Sequence, residues 1–265
     1  MLGGRREPET LGSLGLPNQL QMRTVARQTL AFELPQLRGE EFRIAIPELI
    51  SDEKNAILPW GFASPDFEIR KNLAKLHIEV PNRIRTESRI RFLGDRIDAR
   101  VRATNLSAKP WNGLNAFTCF ACYKAPSFHD PELVRTYIPV EGKLKSIAQL
   151  FSEQEPGSDS KTFFGVAGGP KLDELWPCRQ LPQRHVETAS EGCACLVSRD
   201  KKWVAGITTR KPAYLFNNRE LSCIHADPLM GNVPPGGTAE GVSTIYIFPG
   251  TAEDFLERCQ RASGS

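Results

Sequence analysis

The sequence has no apolar run approaching the ~20 residues that a membrane-spanning helix needs, which excludes such a span. Its first residues, MLGGRREPETLGSLGLPNQ, carry charge but no apolar h-region. They read as a disordered leader over residues 1–25 and predict a cytoplasmic protein. Lys/Arg blocks beyond pairs such as Lys201-Lys202 are missing, and 34 basic against 31 acidic residues nearly cancel, so no nucleic-acid footprint is expected. Walker loops, G-x-G-x-x-G and G-x-S-x-G are all absent, which argues against nucleotide chemistry and against a nucleophile elbow. Strands alternating with long helices are also lacking, so a parallel α/β sheet is not expected.

The chain instead carries short alternating runs broken by Pro, Gly, Asn and Asp. EFRIAI (41–46) and KLHIEV (75–80) alternate. In RIDARVRAT, Ile97, Ala99, Val101 and Ala103 share one face and Asp98, Arg100 and Arg102 the other, as in a half-buried antiparallel strand. Gly94-Asp95 reads as a hairpin turn before it. Asn115–Tyr123 is apolar on both faces and predicts a central strand. Further strands are expected at 162–166, 193–198, 203–209, 213–216 and 243–248, with Arg199–Lys202 as a polar turn. SEQEPGSDSK (152–161) reads as a polar, mobile loop. Helix is expected at 144–151 and at 251–262, where Thr251 stands as N-cap before Glu253 and Asp254. The fold class predicted is all-β: an antiparallel β-sandwich with a short C-terminal helix, a single domain over 26–265.

Seven cysteines are an odd number in a chain long enough to bury a large core, so free thiols in a reducing compartment are expected. Cys119 and Cys122 form a C-x-x-C within FTCFACY. On a strand, i and i+3 point to opposite faces, so this pair cannot easily share a metal.

Four histidines narrow the search for chemistry. His129 and Asp130 (PSFHDP), and His225 and Asp227 (CIHADP), each pair an imidazole with a carboxylate beside a strand end. If the two loops converge, His129, His225, Asp130 and Asp227 form an acid/base constellation, and His129, His225 and Asp227 a divalent-metal site. The alternative is that each Asp forms a turn before Pro131 or Pro228 while each His bonds locally. His77 fits a structural strand histidine, and His185 a surface one. A flat indole beside amides and a guanidinium suits a sugar ring, which makes Trp111, Asn112, Asn115, Arg135 and Tyr137 candidate substrate contacts.

Three stretches together resemble the galactose-mutarotase-like β-supersandwich superfamily: PWGFASPDFEI (59–69), IDARVRATNLSAKPWNGLNAFTCF (97–120) and HADPLMGNVPPGGTAEGVSTIYIF (225–248). CIHADP and PSFHDP also resemble segments of a bacterial protein group. The resemblance implies a supersandwich and the position of its pocket. It does not imply aldose epimerisation, because Ala116 follows Asn115 where the family's catalytic His stands. Trp60 and Ser64 also replace the His and Arg of its H-G-F-A-R loop. The resulting expectation is a carbohydrate-active protein with a saccharide partner, of lyase, isomerase or hydrolase type. The alternative is a non-catalytic carbohydrate-binding or homo-oligomeric assembly module.

Overall fold

The computed structural model describes residues 20–26, 28–62, 65–151, 161–180 and 184–263. Residues 1–19 of the expected leader, Ser64, the loop at 152–160 and the side chain of His185 lie outside the described residues. The first part of the chain gives β1 (Gln21–Ala26), β2 (Thr29–Glu33), β3 (Glu41–Ala45), β4 (Ile50–Ser51), β5 (Ala56–Leu58) and β6 (Glu68–Arg70). Next come β7 (Leu73–Val80), β8 (Ile84–Phe92), β9 (Ile97–Asn105), β10 (Trp111–Ala116), β11 (Cys119–Ala121), β12 (Thr136–Val140) and β13 (Lys143–Ser146). The remainder holds β14 (Lys161–Val166), β15 (Arg184–Ala189), β16 (Cys193–Val197), β17 (Trp203–Thr209), β18 (Pro212–Asn218), β19 (Cys223–Val233) and β20 (Thr238–Pro249). Helices are few and short: α1 (Ile147–Phe151), α2 (Trp176–Gln180) and α3 (Ala252–Ser263).

Alternation produces the long hairpins as expected. In β9 the residues from Ile97 to Ala103 alternate between buried and more accessible, and β8 does the same on its partner edge. Pairing then runs continuously through β6–β7–β8–β9–β20–β17–β16–β12–β15–β14–β18–β19–β11–β3–β2–β1. Among the described strands only β14–β15 is parallel. The distant ends of this path face one another: Phe32 of β2 packs edge-on against Phe92 of β8, with centroids 4.9 Å apart. A sheet curled back on itself with a shared apolar interior is the sandwich arrangement. Leu30, Ile44, Ile90, Val101, Ile224 and Ile245 belong to one buried cluster.

Several boundaries differ from expectation. β1 falls inside the predicted leader, because Met22–Thr24 pair with Leu30–Phe32. The run Asn115–Tyr123 is two strands, with Phe117 and Thr118 at the break. The helix expected from Leu144 starts only at Ile147, since Lys143–Ser146 pair with β12. Ser146 then caps it, accepting the Gln149 N–H at 3.3 Å while Gln149 Oε1 accepts the Ser146 N–H at 2.8 Å.

Candidate functional site

The break between β10 and β11 creates the site. Residues after β3 dock on it, with the Glu48 N–H donating to the Phe117 carbonyl and the Phe117 N–H to the Leu49 carbonyl. This brings Glu48 beside Cys119. Across the sheet, Cys119 registers with His225 and Ala121 with Cys223. Because side chains at i and i+2 share a face, Cys223, His225 and Asp227 of β19 project to the same side as Cys119. Cys122 falls in the opposite core cluster, as its offset of three predicts.

The resulting cluster is dense. Cys223 Sγ lies 3.4 Å from His225 Nε2, and Glu48 Oε2 lies 3.8 Å from the same nitrogen. His225 Nδ1 is 3.4 Å from Asp227 Oδ2, a close ion-pair contact rather than a well-formed hydrogen bond. Asp227 is anchored by its other oxygen, which accepts the Thr118 N–H at 2.7 Å. Phe117 and Phe216 stand edge-on to the imidazole, with centroids 5.3 and 4.8 Å away. His225, Asp227 and Cys223 have almost no access to solvent.

Crowded charges displace the acidities. Burial raises the Glu48 carboxyl to about 7, against the lowering pull of His225. Burial alone would push the Cys223 thiol up, but the Cys119 hydrogen bond and the His225 charge hold it below the ordinary thiol range. Burial opposes protonation of His225, yet Asp227 and Cys223 raise its pKa. Asp227 is itself raised by burial, partly offset by His225.

The cluster borders a cavity of about 420 Å³, lined among others by Arg43, Glu48, Trp60, Cys119, Tyr123 and Leu221. Glu48 keeps 32% of its side chain exposed toward this space. Trp60 is 39% exposed and packs against Phe117 and Trp176. Arg43, also in the lining, donates to the Tyr123 hydroxyl and pairs with Glu41 at 2.7 Å. A separate concavity of about 280 Å³ on β8, β9 and β20 is lined only by charged side chains such as Arg89, Arg100 and Glu240, an exposed strand face.

The sequence-predicted residues divide between this cluster and other places. His225 and Asp227 meet, as their i, i+2 spacing requires. His129 is elsewhere: its Nδ1 lies 3.0 Å from Ser222 Oγ, which also accepts the Asp130 N–H at 2.8 Å. Asp130 is fully buried and accepts the Arg135 N–H and the Thr136 hydroxyl, each at 2.8 Å. Arg135 donates to the carbonyls of Ser127, His129 and Val197, which pins the loop. The set His129, His225 and Asp227 is not gathered as metal ligands. Among the described residues the group whose ligand atoms converge, within 4.8 Å of one another, is Cys119, Cys223 and His225.

The expected sugar contacts Trp111, Asn112, Asn115, Arg135 and Tyr137 do not line the cavity. Trp111 is buried in the main core, and Asn115 accepts hydrogen bonds from Ser51 and Tyr214. Tyr137 packs against the cluster beneath α3. Sequence reasoning missed Glu48, Cys119 and Cys223. The alternating C-I-H-A-D run was the available signal for Cys223, whereas nothing around Glu48 marks it.

No family model and no curated protein matches the chain. Solved structures similar to it include a galactose mutarotase related enzyme from Lactobacillus acidophilus, at 11% identity and a TM-score of 0.48, covering 89% of this chain and 97% of that one. A galactose mutarotase-like protein from Lactobacillus casei is 13% identical, with a TM-score of 0.42 over 86% of this chain and 100% of its own. Among the described residues no helix is long and apolar enough to cross a membrane.

Proposed function

We propose that this is a carbohydrate-active protein whose cavity takes a saccharide and whose Glu48 transfers a proton, in an isomerase-type reaction. The observation that supports it is one arrangement: a carboxyl group, an exposed indole and a guanidinium–phenol pair line the same cavity. The indole of Trp60 offers an apolar face to sugar C–H groups, while Arg43 and Tyr123 offer polar partners to hydroxyls. Glu48 lines the cavity beside the buried His225–Asp227 group and keeps about a third of its side chain exposed, whereas neighbouring Cys119 is buried, so Glu48 is the catalytic residue of this reading. His225 and Asp227 are positioning residues behind it, fixing the carboxyl through a charge chain with no access of their own.

The test is ligand-observed NMR with a panel of aldoses and their uronic acids, followed by anomer-exchange or isomer-exchange rates on any binder. Trp60→Ala should weaken binding about tenfold, the ~1–2 kcal/mol expected of a lost stacking face. Glu48→Gln should retain binding within about threefold and lower the rate by roughly 10²–10⁴. Wild-type protein that ignores every sugar at millimolar concentration ends the reading. Binding without any turnover identifies a non-catalytic carbohydrate-binding module instead.

A further inference from the structure

Three soft or borderline ligand atoms meet at the wall of the cavity, and they arrive from two strands in one register. Cys119 stands opposite His225 on paired strands, and Cys223 precedes His225 by two residues on the same face. The two Sγ atoms and an imidazole nitrogen lie within 4.8 Å of one another. With Zn–S bonds of about 2.3 Å and Zn–N bonds of about 2.0–2.1 Å, a tetrahedral ion holds its neighbouring ligand atoms roughly 3.5–3.8 Å apart. The Cys223–His225 separation of 3.4 Å falls just short of that edge, so a small outward shift of the thiol admits the ion.

We propose that Cys119, Cys223 and His225 bind one zinc-class divalent ion at the cavity wall, with a fourth position open toward Glu48.

The surroundings agree with this ligand set in three respects. Asp227 lies against the imidazole nitrogen that the ion would leave free, where a carboxylate fixes the tautomer of a metal-ligating histidine. Two thiolates and a neutral imidazole balance the charge of a divalent ion, so the ion and its three ligands add no net charge to the buried cluster. Thiolate ligands favour zinc and similar ions over magnesium or calcium. Cys119 and Glu48 both line the cavity while Cys223 and His225 are sealed behind them, so the open side of the ion faces the cavity and not the core. A bound water there would sit beside Glu48, which then serves it as a proton acceptor. This site is independent of whether the cavity takes a sugar.

The experiment is a cobalt(II) titration of the full-length, reduced, metal-stripped protein, followed by absorbance, then displacement by zinc. One equivalent should bind, giving a thiolate-to-cobalt charge-transfer band and the intense visible bands of a tetrahedral site, both abolished by zinc. Cys119→Ser and Cys223→Ser should each weaken binding at least a hundredfold and diminish the charge-transfer band. Cys122→Ala, on the other face, should bind within threefold of wild type. Asp227→Asn keeps all three ligands and should bind about 10–100-fold more weakly. A wild-type titration without a charge-transfer band overturns the proposal whether or not the serine variants fold. So does a loss in Cys122→Ala equal to that in Cys223→Ser. Sugar binding without cobalt binding would leave the carbohydrate reading standing and remove this one.

Discussion

At the scale of single residues, the two His–Asp pairs look alike in sequence and do different work. Both are H-D or H-x-D next to a proline. On β19 the two-residue offset keeps His225 and Asp227 on one face, so they meet. In the loop after β11, Asp130 turns inward to hold the chain, and Arg135 follows it to cap three carbonyls rather than to clamp a substrate. Arg135 also lies 3.6 Å from the fully buried Asp130 carboxylate. Removing the guanidinium would leave that carboxylate and three carbonyls short of partners, a mechanism that costs about 2–4 kcal/mol. Arg135→Ala should therefore lower the urea midpoint substantially while leaving ligand affinity at the cavity unchanged. A large affinity loss at undiminished stability would restore Arg135 to the role of a substrate contact.

At the scale of elements, α3 shows how a short helix is specified twice. Thr251 Oγ1 accepts the Asp254 N–H at 3.2 Å, and Asp254 Oδ2 accepts the Thr251 N–H at 2.8 Å. Ala252, Phe255 and Cys259 then share the buried face. The receiving surface is Gly206 of β17, where an added Cβ would come 2.3 Å from the Phe255 ring. Thr251→Ala should cost about 1 kcal/mol. Gly206→Ala should cost at least about 1–3 kcal/mol, because a central strand and a packed ring must both shift. Chemical denaturation of the two variants checks the order, and a harmless Gly206→Ala would mean that α3 is not held against β17. The cap of α3 was readable in the sequence because its partners are three residues apart. So were β7, β9 and β17, where alternation is local. The start of α1 was not, since Lys143–Ser146 owe their extended form to β12 rather than to their own preferences. β1 likewise exists through its pairing with β2, which composition at the N-terminal end does not announce.

Over the whole molecule, the candidate site depends on three segments, separated in succession by 71 and 104 residues, brought together by the order in which the sheet is paired. Glu48 follows β3, Cys119 opens β11 and Cys223 opens β19, and β11 lies between the other two strands. No spacing rule links residue 48 to residue 119, or 119 to 223, so His225 and Asp227 were legible as candidates while Glu48 and Cys119 beside them were not. The same topology gives the metal proposal a global consequence. An ion held by β11 and β19 binds only where the strands are in register, so it stabilises the folded state by mass action, by about 2.7 kcal/mol at a free concentration a hundred times its Kd. For a chain of this size each kcal/mol moves the melting temperature by about 2–4 °C. Zinc at that excess should raise the midpoint by roughly 5–10 °C, and a chelator should return it. Cys223→Ser should melt at one temperature with or without zinc. A rise of equal size in wild type and Cys223→Ser would place the stabilising ion outside this cluster and leave Cys119, Cys223 and His225 as packed core thiols and a core imidazole.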